Sequence, residues 1–247
     1  MTDIDLSRSA AARPPKTDLE LAWAVLVEPA SAFAALKERP TFWFALLVPV
    51  LASAAFFLVY YARVDVAWLT DHLLNADPHA RELSDTGKAV ATDAVSKSLL
   101  LWTSLATVVL GVPLLKAIES TYYLLAGRST SIRLSFRHWM ALSCWSAWPQ
   151  VLLVAVMFAT LFLHADGQVA QEQTNLLSLN ELLFHVGAAS PWHSLLSTLT
   201  LLHPWAWWLT VVGVRAWSGR SLAFSAVFAL LPVAVTYGGW ALVALAA

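Results

Sequence analysis

The chain has 247 residues, of which 59% are hydrophobic and 13% are charged, and its mean hydropathy is +0.65. Soluble domains carry about 25% charged residues, so this composition excludes an ordinary water-soluble globule. The formal net charge of −1 offers no positive excess for binding nucleic acid, and one cysteine, Cys144, cannot form an intrachain disulfide or a cysteine metal site. The sequence therefore predicts an all-α, polytopic membrane protein.

The N-terminal 40 residues are polar at first and then amphipathic. Residues 1–17 predict a disordered cytoplasmic tail, and no apolar run follows closely enough for a cleavable signal peptide. Residues 18–247 are predicted to form one membrane domain. Leu19 to Lys37 carries an apolar stripe that includes Trp23 and Phe33, with Pro29 restarting the helix. The stripe predicts an interfacial helix, and its packing on the ends of the membrane spans is an equal and compatible alternative.

Five later runs contain no Asp, Glu, Lys or Arg, and each reaches or approaches the roughly 20 residues that a helix needs to cross about 30 Å of hydrocarbon. These runs predict a five-helix transmembrane bundle with spans at about 41–62, 98–115, 139–163, 194–214 and 221–247. Each run contains one proline, which we interpret as a static bend in preference to a moving hinge: Pro49, Pro113, Pro149, Pro204 and Pro232. Apolar character after the second run extends to Gly127, a predicted helix stop, so this helix is expected to project into the cytoplasm.

The positive charges predict the orientation of the bundle. Five spans place the termini on opposite sides, and 11 of the 15 Lys and Arg residues then lie on the side of the N-terminus. The positive-inside rule therefore predicts a cytoplasmic N-terminus and an outer C-terminus.

No enzyme or cofactor motif is present. The chain lacks G-x-x-x-x-G-K-[ST], H-E-x-x-H and G-x-S-x-G, so we predict no catalytic residue, cofactor or metal site. His72, Asp71 and His79 are interpreted as ordinary loop polarity because their spacing fits no standard metal site. Ser143, Cys144 and the neighbouring Ser146 predict hydrogen bonds within the bundle.

Two sets of residues remain as candidate functional groups. A cytoplasmic patch is predicted to contact a partner or lipid headgroups, although topology alone explains its charges equally well: Lys116, Glu119, Arg128, Arg133 and Arg137. His203 lies inside the predicted fourth span and is a candidate intramembrane functional group. Because no charged partner is evident within a span, a neutral packed histidine is the favoured interpretation.

Several short motifs occur in a characteristic order along the chain. Pro29, Phe33, Leu36 and Arg39-Pro40 lead into the first span, and Arg133, Arg137 and Pro149 mark the third. A Leu-Leu-Ser segment at 195–197 precedes an aromatic span that ends in Gly213 and a Ser-Gly-Arg-Ser turn at 218–221. In this order the motifs resemble those of the bacterial members of the Yip1-domain family, which implies a bacterial inner membrane. The chain departs from the family at Thr200-Leu201-Leu202, where members often have Asp-Leu-Phe. The resemblance implies five helices, a cytosolic N-terminus and no enzymatic activity.

Two classes of function follow as hypotheses. The first is an adaptor or accessory subunit for a transport or trafficking process, with membrane lipids and another membrane protein, such as an exporter subunit, as partners. The second is a small transporter or channel that acts as an oligomer. The second needs a polar pathway, and spans without an intramembrane carboxylate, Lys or Arg do not provide one by themselves.

Overall fold

The computed structural model describes residues 17–76, 96–164 and 166–246, and residues 84, 86, 87, 90 and 92 between the first two ranges. The predicted tail, except Thr17, and His79 lie outside the described residues. The α-helices with described bounds are α1 (Asp18–Val27), α2 (Pro29–Glu38), α3 (Trp43–Arg63), α4 (Val66–Ala76), α5 (Lys97–Ser129), α6 (Phe136–Ser146), α7 (Val151–Leu163), α8 (His193–Thr198), α9 (His203–Ser218) and α10 (Leu222–Ala246). Within these ranges there is no β-strand, so the all-α prediction is confirmed.

The hairpin of α1 and α2 carries two apolar stripes. Thr17 caps α1 by accepting a hydrogen bond from the Glu20 amide (3.2 Å), and Pro29 occupies the first turn of α2. One stripe, which includes Phe33 and Leu36, is buried and packs α2 against α9. The other remains exposed on α1, at i, i+4 and i+8 positions: Leu19, Trp23 and Val27. The structure thus contains the predicted packing on neighbouring helices and leaves a second apolar face uncovered.

Helix α6 lies at the centre of the bundle. All eight residues from 139 to 146 are buried, so no face of this segment is open, and it packs against α2, α3, α5 and α9. The Trp145 indole donates a hydrogen bond to the Thr41 carbonyl (2.7 Å), which fixes the start of α3 beside α6. The central position of α6 brings its serines and cysteine against neighbouring helices.

The described part of the chain contains three helices that are long and apolar enough to cross a membrane: α3, α5 and α10. A fourth crossing is available if α6 and α7, which are bent by 40° at the 3₁₀ turn Trp148–Gln150, act as one broken span. Four of the five predicted runs therefore correspond to candidate spans, and the multi-pass character is supported.

The run 194–214 is not the continuous helix that we predicted. Helix α8 ends at Thr198, Thr200 forms an isolated bridge with Ser178, and α9 begins at His203. Pro204 stands in the first turn of α9, where its missing N–H costs no hydrogen bond, so this proline starts a helix and does not bend one. With 16 residues, α9 is about 24 Å long.

The other prolines act in different ways. Pro113 directly follows a π-turn, Thr107–Gly111, inside α5, and Pro149 lies in the 3₁₀ turn between α6 and α7. Proline cannot donate to the carbonyl one turn earlier and its ring crowds that carbonyl, so a widened or tightened turn relieves both problems. Pro49 and Pro232 lie inside regular helices.

Two glycines permit close approaches between helices. A Cβ on Gly213 of α9 would overlap Leu142 Cδ1 of α6 and lie 3.1 Å from the Phe33 ring of α2. A Cβ on Gly127 would lie 2.9 Å from the Trp139 indole. The prediction that Gly127 ends its helix was wrong, because α5 continues to Ser129 and the left-handed residue is Ser131 (φ 66°).

Hydrogen bonds tie the C-terminal end of α3 and the residues after it to residues 167–172. The buried Tyr60 hydroxyl donates to the Val169 carbonyl (3.0 Å), and the Asp65 amide donates to the Gly167 carbonyl (3.0 Å). His72 Nε2 lies 3.0 Å from Glu172 Oε1 and stacks on Trp68, so it takes part in this tether.

Candidate functional site

The structure divides the predicted basic patch into two groups. Lys116 and Glu119 form an ion pair inside the bundle, whereas Arg128, Arg133 and Arg137 remain at the end of the bundle where α5 ends and α6 begins. The first group places two opposite charges between helices of the bundle. We describe it first, as the ion-pair cluster of Lys116, Glu119, Tyr123 and Ser143.

Three side chains satisfy the Glu119 carboxylate. Lys116 Nζ donates to Oε2 over 2.9 Å, and the Ser143 hydroxyl donates to the same oxygen over 2.5 Å. Tyr123 shares its hydroxyl proton between Glu119 Oε1 (3.1 Å) and the Ala229 carbonyl of α10 (3.2 Å). The cluster therefore connects α5, α6 and α10 through a single carboxylate, and charge-assisted bonds of this kind are about twice as strong as neutral ones.

Lys116 is less completely satisfied than its partner. Its ammonium group has three donors, and Glu119 provides its one hydrogen bond among the described residues. The side chains of Lys116 and Glu119 are 24% and 27% exposed, so the pair is partly open at the surface of the bundle. Cys144 and Tyr237 lie close enough to interact electrostatically with Lys116.

The cluster lies well inside the bundle. Ser143 and Ala229 are each seven residues from the first residue of their helix, which corresponds to roughly 10 Å along the axis. Charges packed between helices are costly unless they are paired and hydrogen-bonded. The arrangement meets that requirement for Glu119 and leaves donor capacity on Lys116.

His203, the other candidate from the sequence, begins α9. Its Nδ1 accepts a hydrogen bond from the Thr200 amide (3.0 Å) and lies 2.9 Å from the Thr200 hydroxyl. Its ring packs against Trp207 and Tyr237. These contacts give His203 a structural role, as a cap that fixes the break between α8 and α9. Lys116 is near enough to interact with it electrostatically.

One residue of this arginine group, Arg133, lines a pocket at the end of the bundle. A cavity of about 280 Å³ opens between the C-terminal ends of α2, α5 and α9, and we call it the basic pocket; its polar and aromatic wall comprises Lys37, Ser131, Arg133, Trp217, Ser218 and Arg220. Arg128 and Arg133 line an adjoining cavity of about 490 Å³. Arg137 lies apart from both and donates from Nε to the Pro40 carbonyl (2.7 Å).

The arrangement of three long apolar helices, a broken fourth and a buried central helix agrees with the membrane family indicated by the motifs. The family model described as the Yip1 domain matches residues 23–243. The chain belongs to the Yip1 domain family. No curated protein and no solved structure matches it. The Yip1 family is a family of non-enzymatic membrane proteins.

Sequence reasoning missed the ion-pair cluster in this Yip1 protein, although a signal was available. Lys116, Glu119 and Tyr123 follow one another at i, i+3 and i+7, so they lie on one helix face. The predicted cytoplasmic patch groups the two charges with three arginines because the apolar run 98–115 stops before them, whereas the structure joins Glu119 to Tyr123 and Ser143. Lys37 and Arg220 were counted only for topology, since nothing in the sequence shows that they share a pocket with Arg133.

Proposed function

We propose that this Yip1 protein is a non-enzymatic adaptor or accessory subunit of a membrane transport or trafficking process. It acts in the bacterial inner membrane and recognises another membrane protein through its helices. The proposal is carried by one observation: a partly exposed ion pair lies on the least buried of the long apolar helices.

Helix α5 supports this interpretation through its exposure. Only 6% of an apolar 18-residue stretch of α5 is buried, compared with 33% of the corresponding stretch of α3. Its first half packs against α3 and its second half against α6 and α10, which leaves an apolar face that includes Leu110 (68% exposed) and Ile118 (58%). An apolar face alone is suited to lipid, so exposure does not by itself favour a protein partner.

The ion pair distinguishes α5 from an ordinary lipid-facing helix. Lipid chains cannot form hydrogen bonds. Exposing about a quarter of the Lys116 and Glu119 side chains to lipid is therefore unfavourable. A partner helix with a hydroxyl or amide side chain would satisfy the remaining Lys116 donors and exclude lipid from the pair. The proposal therefore places the partner on α5, at the level of Lys116.

We further propose five crossings, with the N-terminus in the cytoplasm and the C-terminus outside. Helices α8 and α9 together provide the extra crossing, with His203 and Thr200 capping the break between them. The exposed stripe of Leu19, Trp23 and Val27 supports an interfacial position for α1 on the cytoplasmic side. The excess of positive charge at that end supports the orientation.

Site-specific photo-crosslinking in cells tests the partner surface. A photo-reactive residue at Leu115 (65% exposed) or Ile118 is expected to capture the same membrane protein, because these two exposed positions lie one turn before Glu119 and directly before it. The matched control is Leu242 of α10, which is 68% exposed and lies on another helix. Capture at Leu242 but not at either α5 position, or capture of lipid alone at all three, would contradict the proposal.

Transport is the second candidate function, favoured by the same pair. Lys116 supplies an ionisable group inside the bundle, near Tyr237 and the sequence candidate His203. Purified protein in sealed vesicles would show a solute or proton flux that Glu119→Gln abolishes, if the pair lies on a transport pathway. The adaptor proposal predicts no flux above that of empty vesicles in either protein.

A further inference from the structure

The basic pocket has more positive charge than the protein itself neutralises. Lys37 Nζ donates to the Trp217 carbonyl (2.8 Å), and Arg220 Nη2 donates to the Thr130 carbonyl (2.9 Å), so both cap helix ends. Arg128 and Arg133 are exposed and make no such bond within the described residues. The two ion pairs among the described residues, His72 with Glu172 and Lys116 with Glu119, do not involve any residue of the pocket.

Helix dipoles do not remove this excess. The C-terminal ends of α2, α5 and α9 converge on the pocket, and each contributes roughly half a negative charge. Three such ends offset about one and a half charges, whereas the cations that line the pocket, Lys37, Arg133 and Arg220, carry three. More than one positive charge therefore remains for an external anion, and the hydroxyls of Ser131 and Ser218 add donors on the same wall.

The position of the pocket indicates a lipid as the source of that anion. The wall is built from the ends of α2, α5 and α9, and α2 continues from α1, whose exposed Leu19, Trp23 and Val27 form an interfacial stripe. The adjoining cavity beside Arg128 enlarges the space that a headgroup can occupy.

We infer that the basic pocket binds the phosphate group of an anionic membrane lipid, with Lys37, Arg133 and Arg220 around the phosphate. The inference is independent of the partner proposed for α5, because it uses a different surface. It also separates Arg133 from the other cations of this end: Lys37 and Arg220 hold helix ends together, while Arg133 is free to contact the ligand.

Native mass spectrometry of the full-length protein in neutral detergent tests the inference with three probes: phosphatidylglycerol, phosphatidylcholine and inorganic phosphate. We expect phosphatidylglycerol to bind more tightly than either of the others, since it combines net negative charge with acyl chains. Inorganic phosphate that binds as tightly as phosphatidylglycerol would overturn the lipid assignment and identify a site for free phosphate. Equal binding of the two lipids would overturn the phosphate site itself.

Variants locate the site. Arg133→Gln is expected to weaken phosphatidylglycerol binding about five-fold, the effect of one basic side chain near an anionic headgroup. Arg215→Gln is the matched control, because Arg215 is also exposed near the end of α9 but does not line the pocket; its binding should be unchanged. Equal weakening in both variants would mean a diffuse charge effect and overturn the pocket. Both arginines are exposed, so both variants should fold, which a melting curve checks.

Discussion

Replacing Glu119 by Leu is expected to lower the free energy of unfolding by about 3 kcal/mol, because Lys116 then keeps an unpaired charge inside the bundle. Lys116→Met is expected to lower the free energy of unfolding by a similar amount, because it leaves the Glu119 carboxylate without its positive partner. In a chain of 247 residues this corresponds to a fall of roughly 6–12 °C in melting temperature. Thermal unfolding of purified protein measures the change.

The double variant Lys116→Met/Glu119→Leu is expected to regain most of that loss, because neither charge remains. Removing both members of a buried pair is commonly far less harmful than removing one. Lys97→Met, which removes an exposed charge from the first turn of the same helix, provides the control and should change the melting temperature little. If Glu119→Leu and Lys116→Met each have the same melting temperature as the Lys97→Met control, water reaches the ion pair freely.

Gly213→Ala is expected to cost about 1–3 kcal/mol, because the added methyl overlaps Leu142 and crowds Phe33 where α2, α6 and α9 meet. The gain in helix propensity from Gly to Ala, up to about 1 kcal/mol, acts in the opposite direction but is smaller than the steric cost. The measurement is again thermal unfolding of purified protein.

Gly238→Ala is the control for this variant. Gly238 also lies inside an apolar helix, α10, and an added Cβ meets nothing within 4 Å. This change should leave stability unchanged or raise it slightly, because alanine has a higher helix propensity than glycine and the added methyl group meets no neighbour. If Gly213→Ala behaves like Gly238→Ala, the close contact among the three helices does not exist in the folded protein.

Much of the architecture was predictable from the sequence because membrane helices leave a local signal. The charge-free runs 41–62, 98–115, 139–163 and 221–247 all coincide with long or paired apolar helices, since each must satisfy its backbone internally. The run 194–214 has the same composition, yet it breaks at Thr200. The bridge between Thr200 and Ser178 depends on a segment distant in the sequence, so no local pattern predicts it.

The candidate site was less predictable because it depends on contacts between distant residues. Ser143 was correctly expected to bond within the bundle, but its acceptor, Glu119, is 24 residues away on another helix. Lys37 and Trp217 are separated by 180 residues and meet at the basic pocket. Composition and spacing reveal which helix face a residue occupies, whereas the packing order of the helices decides which faces meet.

The number of crossings is tested most directly by the location of the two ends of the chain. With Cys144 replaced by Ala, single cysteines at Asp18 and Ala246 can be labelled in intact cells with a membrane-impermeant maleimide. Five crossings predict that the cysteine at 246 is labelled while the one at 18 reacts only after the cells are opened. Protection of both positions in intact cells would place both ends in the cytoplasm, and would contradict a crossing by α8 and α9.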